Sequence, residues 1–77
     1  MNDRRKVTRR MLQQMAPSAA IPYIKSFLLP EEEEMVVIRH NCRKESLQQI
    51  AFQLNLSVDA VKERHARALE KISRAVQ

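Results

Sequence analysis

The chain has 77 residues, with 14 Lys and Arg against 9 Asp and Glu, a net charge of +5, no glycine and one cysteine. That length fits one domain, whose small core must pack efficiently or be completed by a partner. The lone Cys42 excludes an internal disulfide and a cysteine-based zinc site, and no apolar run approaches the roughly 20 residues of a membrane span. The charged N-terminus has no apolar signal core, and the single free thiol suits a reducing compartment, so the expected location is cytoplasmic. Without glycine, turns that need positive φ must use residues such as Asn41 or Asn55. This argues against β-hairpins and for helices joined by short links.

Charge is unevenly distributed. Residues 1–25 hold Arg4, Arg5, Lys6, Arg9, Arg10 and Lys25 against Asp3 alone, residues 31–34 are glutamates, and Lys62, Arg64, Arg67, Lys71 and Arg74 make the C-terminal part basic again. Basic ends suit a polyanion, most simply nucleic acid; a merely solubilising surface reads equally well from charge alone.

The first predicted helix covers about residues 4–15, where Val7, Met11 and Met15 recur every fourth residue beside Leu12. It reads as a basic arm or helix over residues 1–17, closed by Ala16-Pro17-Ser18, ahead of a domain over 18–77. The second covers about residues 20–28, with Ile21, Ile24 and Leu28 on one face and Pro22 in the first turn. Leu29-Pro30 ends it. The third covers about residues 31–41, its glutamates meeting the positive end of the helix dipole. Met35, Ile38 and Cys42 keep one face apolar, with Val36 and Val37 widening it. Consecutive carboxylates do not converge on one side of a helix, so this run is a helix start and not a metal site.

The fourth helix covers about residues 47–54; Ser46 and Gln49 form a capping-box pattern, and Leu47, Ile50, Ala51 and Leu54 form the apolar stripe. The fifth covers about residues 58–76, with Ser57 as N-cap and an inner stripe of Val58, Val61, His65, Ala68, Leu69, Ile72 and Val76. At about 1.5 Å per residue it spans roughly 28 Å, long for so small a protein.

Residues 46–72 carry the sharpest signal. A helix-turn-helix needs a short helix, a turn of three or four residues, and a second helix crossing the first. Ala51 is small where the helices must approach, Leu56 plugs the turn, and Val61 anchors the second helix. With Val61 inside, Asp59, Ala60, Lys62 and Glu63 lie on the outer side of the first two turns, the part of a recognition helix that enters a major groove.

The same residues resemble region four of bacterial sigma factors, the part that reads the upstream promoter element. The resemblance runs over residues 19–73. Its pieces are Leu29-Pro30-Glu31 with Glu34, Ile50-Ala51, Leu54-Asn55-Leu56-Ser57, Val61-Lys62 with Arg64, and Arg67-Ala68-Leu69 with Lys71-Ile72. It implies an all-α, four-helix fold in which residues 20–28 and 31–41 form a first pair and the helix-turn-helix a second. Glycines common in the family before its third helix and in its turn are absent; Lys44-Glu45 and Asn55 stand there. The arm at 1–17 has no counterpart, and nothing resembles the sigma region that melts promoter DNA. The expectation is a stand-alone region-four-like regulator of the kind found in phages and mobile elements.

The resemblance puts Val58, Asp59, Lys62 and Glu63 at base-reading positions, although Val58 can equally be partly buried. Lys62 can donate to guanine O6 or N7, and Glu63 can accept from cytosine N4. Arg43, Lys44, Ser46 and Gln48 at the front of the fourth helix, together with Ser57, Arg64 and Arg67, are the expected contacts to the DNA backbone. Ser46 also reads as a simple cap, and Arg67 as an ion-pair partner of Glu63 or Glu70. His65 reads as packed rather than as a ligand. His40 and Cys42 do not make a metal site, and no nucleophile–base–orienter set exists, so neither an enzyme nor a cofactor is expected.

Three functions follow. The first is a sequence-specific DNA-binding transcriptional regulator. The second is an adaptor that grips RNA polymerase through the outer face of residues 20–41. The third is a phage packaging or recombination accessory protein. The long last helix, with Ile72, Ala75 and Val76, and the apolar Met11, Leu12 and Met15 suggest surfaces on which two copies pair as a homodimer.

Overall fold

The computed structural model describes residues 3–76. They form α1 (Asp3–Gln14), α2 (Pro17–Lys25), α3 (Glu31–Val37), a π-helical turn (Ile38–Cys42) continuous with α3, α4 (Leu47–Leu54) and α5 (Val58–Val76). The fold is all-α. None of these helices is long and apolar enough to cross a membrane.

Proline sets the first breaks. Ala16 is extended ahead of Pro17, as the proline ring demands of its predecessor, and Pro17 opens α2. The helix thus begins three residues before the expected residue 20, and Pro22 falls inside it rather than in its first turn. The ring removes one helical hydrogen bond there, on a side where Pro22 and Ser18 both face solvent. Pro30, also extended, precedes α3, and its carbonyl accepts from Glu34 N–H at 2.9 Å.

The third expected helix changes character part-way. The Arg43 N–H donates to the Ile38 carbonyl at 3.1 Å, five residues back, so the chain widens into a π turn. The wider turn brings Ile38, Asn41 and Cys42 all inward. Asn41 is therefore no turn residue; it is fully buried. The positive-φ positions are Leu28 (54°), Lys44 (63°) and Asn55 (58°). Lys44 and Asn55 are two of the positions at which the resemblance leads one to expect glycine, and both take the left-handed conformation that glycine favours.

α5 is the spine, packed against α1, α3 and α4. On one side, Leu69 and Ile72 join Leu12 of α1, Ile24 of α2 and Val37 of α3 in the larger core. Nearer its start, Val61 joins Val36, Ile50 and Ala51 in a second core, with Leu56 and Val58 packed on it.

α1 belongs to the larger core, but not through the stripe that spacing suggests. Val7 is 59% exposed, while Thr8 and Leu12 face inward, with Met11 and Met15 only partly covered. The reason is that α1 lies along α5, and only the Thr8–Leu12 side reaches it. Leu12 and Ile72 are both fully buried within one chain, which removes them as reasons to expect a homodimer.

Two measurements test this packing. Leu12→Ala and Leu69→Ala should each cost on the order of 2–5 kcal/mol in a denaturant titration; an unchanged midpoint for Leu12→Ala would detach α1 from the core. Leu28 is 87% exposed and left-handed, so it has strain without compensating burial. Leu28→Gly should raise stability by roughly 0.5–1 kcal/mol, since relief of a left-handed side chain exceeds the entropy glycine adds to the unfolded chain.

Candidate nucleic-acid interface

Local capping fixes the geometry of the α4–α5 unit. Ser46 Oγ accepts from Gln49 N–H at 3.1 Å, and Gln49 Oε1 accepts from Ser46 N–H at 3.0 Å, the reciprocal bonds of a capping box. At the other end of α4, Leu56 N–H donates to the Ala51 carbonyl at 2.9 Å and Asn55 N–H to the Phe52 carbonyl at 3.3 Å. With Asn55 left-handed, these are the two bonds of a Schellman motif, and Leu56 folds back onto the core beside Ala51. Ser57 Oγ then accepts from Ala60 N–H at 3.0 Å and starts α5. Arg39 binds Gln53 and lies 3.7 Å from Glu45, tying α4 to the π turn.

On this frame Asp59, Lys62 and Glu63 stand exposed together on the first two turns of α5. Val58 is half-buried in the second core. Arg43, Lys44, Ser46 and Gln48 are exposed where the chain enters α4, and Ser57 is exposed before α5. The Lys44 ammonium also donates to the Asn41 carbonyl at 3.3 Å and the Gln13 carbonyl at 3.5 Å. Arg67 is exposed one turn beyond Glu63. Arg64 is turned aside: its guanidinium donates to Glu32 at 2.7 Å and to the Ala60 carbonyl at 3.3 Å.

The glutamate run explains where Arg64 went. Glu32 holds Arg64, Glu33 holds Lys71 at 2.8 Å, and Glu34 holds Lys25 at 3.4 Å. Arg64 and Lys71 of α5 are thus drawn to the α3 side. Periodicity alone could not show this, because it depends on α3 lying beside α5. Spacing also gave no sign that Arg5 of α1 lines a shallow groove with Arg67, Lys71 and Arg74 of α5.

Beneath the site lies a buried polar joint. Asn41 Oδ1 and His65 Nε2 are 2.6 Å apart, and the His40 ring meets the His65 ring edge-on with centroids 5.0 Å apart. An amide oxygen only accepts, so Nε2 carries the proton. His40 Nδ1 in turn lies 2.8 Å from the Glu45 carbonyl. Burial, then the neighbouring His40 and Arg9, pushes His65 down to about 4. Burial likewise pushes the Cys42 thiol up, against the opposing pull of Lys44 and Arg43, which leaves it an un-ionised core residue. No group of three or more metal-ligating side chains occurs among the described residues.

A family model described as "Sigma-70, region 4" matches residues 28–74. No curated protein and no solved structure matches the chain.

The His65 joint has a pH signature. Folded His65 stays neutral down to about 4, whereas in the unfolded chain it takes a proton near 6.5. The unfolded state therefore binds more protons between those values. Stability should be full above about pH 6.5, fall with pH, and level off near 4, by an amount on the order of 3 kcal/mol. Denaturant midpoints across this range would trace it, and His65→Gln should flatten the curve; an equally steep curve in that variant would assign the effect to other groups.

Proposed function

The chain belongs to the sigma-70 region 4 family, a family of DNA-binding helix-turn-helix domains, and from that premise we propose that it is a transcriptional regulator recognising a specific duplex sequence. The carrying observation is the common exposure of Asp59, Lys62 and Glu63 on the first two turns of α5, while Val61 on the opposite side is fully buried against α4. A major groove about 12 Å wide takes two turns of helix, and these are the turns free to enter it.

In this reading Lys62 donates to a guanine edge, and Glu63 and Asp59 accept from cytosine or adenine amino groups. Val58 contributes at most an apolar edge, because the core takes part of it. Arg43, Lys44, Ser46, Gln48, Ser57 and Arg67 meet phosphates on either side. Ser46 and Ser57 serve through the helix starts they cap as much as through their hydroxyls. Arg64 is left out of the set, since leaving Glu32 would forfeit a charge-assisted bond. In this reading the protein acts by binding, without covalent chemistry, and works in the cytoplasm.

One observation favours a second reading, an adaptor that grips RNA polymerase. A groove between α2 and α3 is lined by the apolar Ile21, Met35 and Ile38 and by Lys25, Glu34, Arg39 and Arg43, with Lys25 and Glu34 paired at 3.4 Å. It lies on the face from which a polymerase-binding role is expected, and both activities can reside in one chain.

The deciding experiment compares wild type, Lys62→Ala, Glu63→Ala and Arg67→Ala on a duplex selected from a random pool and on its scrambled counterpart. Lys62→Ala and Glu63→Ala should each cost about 1–3 kcal/mol on the selected duplex and less on the scrambled one. Arg67→Ala should weaken both alike and lower the salt slope by about one unit. If the ratio of affinities is the same in all four proteins, these side chains do not read bases, and binding to polymerase core without DNA becomes the better account.

A further inference from the structure

We infer that α1 and the second half of α5 together form a clamp for the DNA backbone, in which Arg5 and Arg67 flank a phosphate that lies beyond the base-reading turns. This rests on the DNA-binding reading above and extends it to a helix that lies outside the family match.

The first support is placement. Glu63, Arg67, Glu70 and Arg74 follow one another along the outward side of α5 at helical spacing, continuing the line that begins with Asp59. At about 1.5 Å per residue, Arg67 lies about 6 Å and Arg74 about 16 Å beyond Glu63 along the axis. A helix with its first two turns in a groove about 12 Å wide must then pass over the sugar–phosphate ridge near Arg67.

The second support is that the ridge would meet a prepared concavity. Arg5, Ala66, Arg67, Glu70, Lys71 and Arg74 line the groove between α1 and α5. Ala66 provides a floor without bulk. Four cations face one carboxylate, Glu70, which Arg74 holds at 3.3 Å, while Lys71 is held by Glu33. Arg5 and Arg67 have no carboxylate partner among the described residues. Two unpaired guanidiniums on opposite sides of a trough suit the tetrahedral, multiply accepting oxygens of a phosphodiester.

The third support is that α1 is held rigidly enough to present Arg5. Thr8 and Leu12, one and two turns further on, are buried against α5 and the π turn. The clamp is thus fixed before DNA arrives, and Arg4, exposed beside Arg5, adds charge at the same end.

A salt series on a random-sequence duplex, with the selected duplex measured beside it, tests the clamp. Arg5→Gln should lower affinity severalfold. It should also reduce the slope of log affinity against log salt, by about 0.9 for every phosphate that the variant no longer neutralises. Arg5→Lys should keep the slope, and the preference of selected over scrambled duplex should stay as in wild type. Helical content and melting temperature, read in parallel, should be unchanged. If Arg5→Gln keeps the wild-type slope while Arg67→Ala lowers it, the clamp is wrong and the DNA-binding reading stands. A flat slope for the wild-type protein overturns both.

Discussion

The burial of the inner stripe of α5 is the interaction on which the other features depend. One helix of 19 residues supplies Val61 to the smaller core and Leu69 and Ile72 to the larger one, so α1, α3 and α4 are oriented by a common partner. Its outer side is thereby fixed in direction as well. A helix buried on one face along its whole length cannot roll, and Asp59, Lys62 and Glu63 must face solvent wherever Val61 faces α4. Recognition and core packing are two sides of the same helical repeat of about 3.6 residues.

The polar joint sits where the two cores meet. Asn41 and His65 are buried together, and the Asn41 Oδ1 accepts from His65 Nε2–H only if the π turn delivers Asn41 inward, while the Asn41 Nδ2 has no partner among the described residues. A regular helix through residue 42 would present a different face, leaving the imidazole N–H buried without an acceptor at a cost of about 1–3 kcal/mol. The π turn and the histidine thus specify each other. The same turn ends at Lys44 in the left-handed region, which swings the chain into the capping box that starts α4.

Charge is sorted by helix pairing. The glutamates at the start of α3 favour that helix through its dipole and also draw Arg64 and Lys71 to their side of α5. The exposed Arg64–Glu32 pair adds little to stability, whereas Glu33 is buried beneath Lys71. The larger effect of both pairs is positional. They neutralise the α3 side and leave Arg5 and Arg67 as the unpaired cations along the α1–α5 trough among the described residues, so a chain of modest net charge carries a polarised surface.

Local and periodic signals were enough for much of this. The spans of α4 and α5 follow from the capping residues Ser46 and Ser57 and from apolar spacing, because caps and amphipathic periods act within a few residues. The helix-turn-helix and the outward set Asp59, Lys62 and Glu63 follow from the same repeat. Tertiary structure decided what depends on a distant neighbour. It converted residues 38–42 to a π turn, because Asn41 had to meet His65 across 24 residues of chain. It chose Thr8 and Leu12 over Val7 as the inner side of α1, because only that side reaches α5. It tied Arg64 to Glu32 and brought Arg5 to Arg67, since attraction between charges acts through space and leaves no period in the sequence.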